Sequence, residues 1–127
     1  MKQWLISIGL SLLAVLAPIK ALLIAVGFLI FADTVSGILA ARKRGEKISS
    51  AKLRGVVTKA FVYQICVISG FIMEKYIIDD VLPVSKIIAG AIAAVEFRSL
   101  LENSECILGY EVFEEIKKRI GSPNLDK

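Results

Sequence analysis

Long apolar runs separated by short polar stretches dominate the chain, and they cover about residues 4–17, 21–41, 56–78 and 84–101. At 1.5 Å per helical residue the second and third runs reach roughly 31–35 Å, enough to cross a hydrocarbon core of about 30 Å. The fourth run reaches roughly 27 Å and the first only roughly 21 Å. The pattern predicts an all-α, polytopic membrane protein with four transmembrane helices, or three if the first run does not cross.

The first apolar run has two interpretations. It resembles the hydrophobic region of a signal peptide, with Val15 and Ala17 at the cleavage positions. However, Pro18 would follow the cut, where proline generally blocks cleavage, and a second apolar run begins almost at once. We therefore favour a helical hairpin that turns at residues 18–20, with Pro18 ending the first helix.

Composition restricts the possible function classes. The chain has 127 residues, of which 56% are hydrophobic, and its mean hydropathy is +0.70, so neither a disordered tail nor a freely soluble enzyme is expected. It contains no His, its only cysteines are Cys66 and Cys106, and no phosphate-binding loop is present. Ser49 is explained as the N-cap of a helix starting near Ala51. We expect a single domain that is not an enzyme and needs no cofactor or metal.

Charge sets the expected orientation in the membrane. Six Lys or Arg residues and one acid, Glu46, occupy the polar stretch 42–55, which should therefore be a cytoplasmic loop. The turn at residues 77–83 has two Asp and no Lys or Arg, so it can lie outside. Four crossings place both termini in the cytoplasm, whereas three place the N-terminus outside. Because orientation already explains the basic loop, nucleic acid is not an expected partner.

The C-terminal segment predicts an amphipathic helix over about residues 110–120. Its apolar face consists of Val112, Phe113, Ile116 and Ile120. Acidic residues begin this helix and basic residues end it, which suits the helix dipole. Two interpretations stay open, a surface helix packed on the bundle and an interfacial or oligomer-contact helix.

Three of the apolar runs each carry an ionisable residue at a similar depth. These residues are Asp33, Lys59 and Glu96, and a charge at mid-bilayer costs at least about 2.5–3.5 kcal/mol on insertion scales. The economical arrangement places Lys59 between the two carboxylates in the bundle interior. Such a cluster either locks the helices together, or lines an aqueous path or an oligomer contact.

Small residues indicate where helices can approach closely. The fourth run contains the pairs Ala89/Ala93 and Gly90/Ala94, and the second contains Gly37. We expect the fourth helix to be packed between neighbours, within one subunit or between subunits of a homo-oligomer.

Three sequence segments, ADTVSGILAA from Ala32, KISSAKLRGVVTK from Lys47 and VEFRSLLENSECILG from Val95, occur in this order. Together they resemble the holin family of phage lysis and toxin secretion, over about residues 32–120. The positions that carry the resemblance are Asp33, Gly37, Ser49, Ser50, Gly55, Lys59, Glu96, Ser99, Glu102, Asn103 and Gly109.

The resemblance implies a small multi-pass protein of the bacterial cytoplasmic membrane. Such a protein would form a homo-oligomer in the lipid bilayer and open a lesion, through which an endolysin or a toxin without a signal peptide leaves as cargo. Asp33, Lys59 and Glu96 would then form a switchable polar cluster. The alternatives are a non-lytic membrane scaffold or anchor in a secretion or phage-derived apparatus, and a regulated channel for small ions.

Overall fold

The computed structural model describes residues 1–121, and for Val112 and Phe113 it describes the backbone alone. All regular elements in this part of the chain are helical. They are α1 (Lys2–Leu16), a 3-10 turn (Ala17–Ile19), α2 (Lys20–Lys43), α3 (Ser50–Tyr76), α4 (Val84–Leu108) and α5 (Val112–Gly121). The predicted all-α class is confirmed.

Helices α2 and α4 run parallel to each other and share the most extensive interface of the fold. The Asn103 amide contacts the Asp33 carboxylate, and further along both helices Lys43 Nζ donates to the carbonyl oxygen of Ile107 at 2.6 Å. Residue numbers thus increase in the same direction on both sides of the interface.

Helix α3 runs antiparallel to α2 and α4 and completes a three-helix bundle. Lys59, near its start, contacts Asp33, whereas Gln64, further along, contacts the earlier residue Leu23. We call the end of the bundle at the 44–49 loop the basic end, and the end at the 77–83 turn the opposite end.

The buried apolar core of the bundle is small. Its central cluster consists of Val26, Ile30, Val67 and Ala89, and the other buried apolar residues are Ile19, Ala40, Ala41 and Phe71. Many large apolar side chains point outward instead, and Phe28 and Phe31 are each 65% exposed. Two helical stretches, Lys2–Lys43 and Ser50–Tyr76, are long and apolar enough to cross a bilayer. This distribution is typical of helices whose outer surfaces contact lipid.

The helical hairpin predicted at residues 18–20 is wrong. Leu16, Ala17 and Lys20 keep helical backbone angles, Ile19 departs from them at φ −104° and ψ 8°, and α1 has no buried residue. Pro18 lies in the first turn of the 3-10 segment, where its fixed φ fits and its missing N–H is not needed. Helix α1 therefore leads into α2 without a reversal.

The basic loop predicted over residues 42–55 is shorter in the structure. Helix α2 continues to Lys43, α3 begins at Ser50, and the chain turns at Gly45, whose φ is +76°. As predicted, Ser49 is the N-cap of α3, because its Oγ accepts from the backbone N–H of Lys52 at 3.3 Å. Helix formation here depends on this cap and extends beyond the apolar run.

The second reversal, at the opposite end, is held by polar contacts. Asp79 and Asp80 both have positive φ, and Lys75 Nζ lies 2.7 Å from a carboxylate oxygen of Asp80. The Glu74 carboxylate accepts from both the backbone N–H and the hydroxyl of Ser85, which fixes the start of α4 against α3.

Helix α4 continues seven residues beyond the predicted end at 101 and stops at Gly109. The glycine adopts the left-handed conformation, with φ of +80°, and its N–H bonds to the carbonyl of Glu105. In α5, Ile116 is 46% and Ile120 is 79% exposed, so this part of the apolar face is not packed on the bundle.

Gly70 is the point of closest approach between α3 and α4. A Cβ atom there would lie 2.7 Å from Cδ1 of Ile88 and 3.4 Å from the Cα of Ser85. Gly90, in contrast, has open space around its Cα.

We expect Gly70→Val to destabilise the bundle, by about 1–3 kcal/mol, because the added methyl groups overpack the α3–α4 contact. Gly90→Val is the matched control, since it makes the same change in a helix without meeting a neighbour. The measurement is thermal unfolding of the detergent-solubilised protein. Equal effects of both substitutions would contradict the close contact.

Candidate functional site

An ionic cluster lies inside the bundle and joins all three of its helices. Lys59 Nζ on α3 is 3.2 Å from Oδ2 of Asp33 on α2, and 2.8 Å from Oε2 of Glu96 on α4. Glu96 is among the most buried side chains of the bundle at 2% exposure, and Asp33 is also buried. The structure thus brings together the three charged residues that the sequence singled out.

Helical periodicity explains why the two carboxylates point inward. On α2 the buried positions are Val26, Ile30, Asp33, Ser36, Ala40 and Ala41, and on α4 they are Ser85, Ala89 and Glu96. Apart from the adjacent pair Ala40 and Ala41, these positions recur at spacings of three, four or seven, so each carboxylate continues the inward-facing stripe of its helix. Lys59 lies at the edge of the buried face of α3, and its long side chain reaches inward between the two carboxylates.

Asn103 on α4 orients the carboxylate of Asp33. Its amide nitrogen lies 3.1 Å from Oδ1 of Asp33 and 3.1 Å from Oγ of Ser36. The Ser36 hydroxyl donates to the backbone carbonyl of Asp33 at 2.9 Å. Gly37 makes room for the amide, since a Cβ there would lie 3.4 Å from Asn103 Nδ2.

The cluster holds one ammonium and two carboxylates, so its formal charge is −1 when all three are ionised. Lys59 is the only cation in contact with either buried carboxylate in the described part of the chain. Losing Lys59 would therefore leave two adjacent buried anions, whereas losing one acid leaves a neutral pair. Within residues 1–121 no group of acids and cysteines is arranged to hold a metal ion.

A crevice leads from the cluster toward one end of the bundle. This crevice of about 350 Å³ extends from Asp33 to the basic end of the bundle. Its lining also includes Thr34, Gly37, Ile38, Ala41, Arg44, Ile48, Lys52, Leu53, Val56, Ser99 and Asn103. Toward the opposite end, the apolar core of Val26, Ile30, Val67 and Ala89 closes the interior.

At the basic end the rim of the crevice carries a charged group of three residues. Glu46 accepts from Arg44 Nε at 2.7 Å and lies 3.5 Å from Lys52 Nζ. The hydrogen bond from Arg44 holds the pKa of the Glu46 carboxyl below its usual range. The Arg44 guanidinium also lies 3.3 Å from Sγ of Cys106.

Comparison with known families shows to which family the chain belongs. The model of the bacteriophage holin family matches residues 11–122, which is most of the sequence. The chain belongs to the bacteriophage holin family. No curated protein and no solved structure matches it. The resemblance drawn from the short motifs is confirmed, and this holin-family chain is a helical membrane protein.

The motif positions of this holin-family chain fall into two groups. The structure brings together, in or beside the cluster and its crevice, Asp33, Gly37, Lys59, Glu96, Ser99 and Asn103. The others lie at helix ends or on the surface: Ser49, Ser50, Gly55, Glu102 and Gly109. Among these, Glu102 pairs with Arg98 at 3.0 Å on the exposed face of α4.

The small residues of α4 have different surroundings. Ala89 is buried in the core at 3% exposure, and Ala93 is half-buried. Gly90 and Ala94 are exposed on the outside of the protomer. Within one subunit, α4 is therefore not enclosed on all sides, and packing of Gly90 and Ala94 against another subunit stays a prediction.

Two polar contacts inside the holin-family bundle were not predicted. Gln64 donates to the carbonyl of Leu23 at 3.0 Å, and its own amide oxygen is buried without a partner in the described part of the chain. Glu74 accepts from Ser85, as described above. A polar residue within an apolar run is the signal that could have indicated Gln64.

We expect Lys59→Met to be the most damaging single substitution in the cluster, because it strands two carboxylates. Breaking a buried ion pair costs about 3–5 kcal/mol in soluble proteins. Glu96→Gln should cost less, and Asp33→Asn least, because Asn103 still engages that side chain. The measurement is thermal unfolding in detergent, analysed as a double-mutant cycle.

The double variant Lys59→Met/Glu96→Gln should recover part of the loss, since it removes a charge of each sign. Lys86→Gln, at the exposed start of α4, is the control and should behave as wild type. Additive effects of Lys59→Met and Glu96→Gln would contradict a direct interaction between the two side chains.

Proposed function

We propose that this holin-family protein accumulates in the bacterial cytoplasmic membrane, assembles with copies of itself and opens a lesion in the bilayer. An endolysin, or a toxin without a signal peptide, then leaves through that lesion as cargo. The observation that carries the proposal is the ionic cluster. Its polar groups join all three helices of a bundle whose central apolar cluster is small.

The cluster suits a change between two packings of the same helices. In the closed bundle Lys59 pairs with both Asp33 and Glu96, and the two carboxylates are buried away from lipid. When helices separate, the same groups become a hydrophilic surface that can line water in an assembly. The charged side chains are thus stabilised by pairing with one another in one packing and by hydration in the other. The change between the two packings needs no chemical reaction.

The polar side chains beside the cluster support the same change from a paired to a hydrated packing. Asn103, Ser36 and Ser99 extend the hydrophilic surface from Asp33 toward the basic end, where the crevice is already open. Separation of the helices would disrupt the apolar core between Val26 and Val67 as well as the ion pairs of Lys59.

We expect Lys59→Met to shift the onset of membrane depolarisation to earlier times at equal protein level, because the stranded carboxylates favour the hydrated packing. Lys59→Met/Glu96→Gln should move the onset back toward wild type, and Lys86→Gln should leave it unchanged. The measurement is membrane potential and culture density after induction, with membrane-inserted protein quantified in parallel. An induced wild-type protein that leaves both unchanged would contradict lesion formation and favour the scaffold.

The proposed orientation has the basic end of the bundle in the cytoplasm. Helices α2, α3 and α4 then cross the membrane in alternating directions, and the tail after Gly109 lies on the cytoplasmic side. The positive charge of the 44–49 loop and the two Asp residues of the 77–83 turn support this choice. The stretch Lys2–Lys43 is about twice as long as a bilayer is thick, so α1, which continues α2 without a reversal, extends beyond the span of the bundle, and we propose that it lies along the interface.

Single cysteines introduced at Lys47 and Asp80, in a background lacking Cys66 and Cys106, test this orientation. Before lesion formation, we expect Asp80→Cys to react with an impermeant thiol reagent in intact cells and Lys47→Cys to react only in inverted vesicles. Labelling of Lys47→Cys from outside would contradict the orientation. The same assay on Gln3→Cys distinguishes four crossings, with both termini cytoplasmic, from three.

A further inference from the structure

Two cations at the rim of the crevice converge on a single anion. Arg44 contacts both carboxylate oxygens of Glu46, at 2.7 and 3.4 Å, and Lys52 lies 3.5 Å from one of them. Arg44 follows the end of α2 and Lys52 lies in the first turn of α3, so the two sit on opposite walls of the crevice. With Glu46 between them, this group keeps a formal charge of +1.

Below these cations the walls of the crevice carry apolar side chains, whereas Asp33, Thr34, Ser99 and Asn103 also line it. Ile38 on α2 faces Leu53 and Val56 on α3 across the crevice, and Leu53 is 46% exposed at its outer edge. A ligand that fits this site combines an anionic group at the rim with a hydrophobic part along the helices. A fully hydrated small anion would use only the rim.

The position of the crevice in the bundle matches one class of such molecules. The cations lie at the ends of α2 and α3, where helices that span a bilayer reach the level of the lipid headgroups. Basic pockets between transmembrane helices at this level bind anionic lipid headgroups. The surrounding polar stretch adds more positive charge, since Arg42, Lys43, Lys47 and Arg54 are all exposed.

We propose that the crevice between α2 and α3 is a binding site for one anionic phospholipid. Its phosphate occupies the position between Arg44 and Lys52, and part of an acyl chain lies against Ile38, Leu53 and Val56. Glu46 is the internal occupant that the phosphate displaces. The site requires only that the protein is inserted in a membrane, and it is independent of whether a lesion forms.

The test measures lipid preference at the crevice itself. Trp4, the single tryptophan of the chain, is replaced by Phe, and Leu53→Trp places a fluorescent reporter on the outer wall of the crevice. The protein is reconstituted in vesicles of phosphatidylcholine and phosphatidylglycerol, and either lipid carries a brominated, quenching chain. The ratio of the two quenching efficiencies gives the preference for phosphatidylglycerol.

We expect the reporter to show a clear preference for phosphatidylglycerol that decreases as ionic strength rises. Arg44→Gln and Lys52→Gln should each lower the preference, by up to about five-fold, the factor that corresponds to one cation near a membrane surface. Glu46→Gln should raise it, because the internal competitor is lost.

Two variants control for the general effect of charge. Arg54→Gln removes a cation from the same turn of α3 without changing the lining of the crevice, and Glu102→Gln removes an exposed acid on α4. Arg54→Gln should lower the preference much less than Arg44→Gln does, and Glu102→Gln should leave it at the wild-type value. Arg54→Gln with the same effect as Arg44→Gln would overturn the proposal, since the loop would then act only through its total charge.

Inorganic phosphate distinguishes a lipid from a free anion. When phosphate replaces chloride at constant ionic strength, we expect the preference for phosphatidylglycerol to persist. Its loss would show that the rim takes free phosphate and would overturn the assignment to a lipid. Lipid preference is measured without reference to permeability, so failure here is distinguishable from failure of lesion formation.

Discussion

The contact of one ammonium group with two carboxylates is the interaction on which the bundle depends. Lys59 links Asp33 on α2 to Glu96 on α4, and thereby fixes α3 against both of its neighbours. Lipid tails are as apolar as the helices, so burial of apolar surface does little to choose one helix packing over another in a membrane. Stranded charges, in contrast, are penalised strongly, and the arrangement that pairs them is selected.

The two ends of the bundle interior differ, because the cluster lies between a polar crevice and an apolar core. On one side of the cluster Asn103 and the crevice connect it to the basic end, and on the other side the apolar core closes the interior. The crevice therefore gives water and lipid headgroups a route to Asp33 from the basic end. A change in packing that starts at the basic end would reach the cluster first, and the core around Val67 afterwards.

Much of this arrangement could be predicted from the sequence, and the rest depends on local geometry. Asp33, Lys59 and Glu96 are rare charges in apolar runs, and the lengths of those runs place them at one depth. Pro18 suggested a reversal, but proline also fits the first turn of a helical segment, and only the backbone distinguishes the two. The need for a glycine at position 70 could not be predicted from the sequence, because it arises from contact with Ile88 on another helix.

Solid-state NMR of the protein in unpermeabilised vesicles tests the central interaction most directly. With ¹⁵N in lysine side chains and ¹³C in the carboxylates of Asp and Glu, the dipolar coupling at Lys59 Nζ reports its distance to each acid. Subtraction of the Lys59→Met spectrum removes the contributions of Lys52 and Lys75, which also pair with acids. We predict strong dephasing of Lys59 Nζ by both aspartate and glutamate carboxylate carbons, as expected for contacts of 3.2 and 2.8 Å to their oxygens. A Lys59 signal that neither carboxylate dephases would contradict the account.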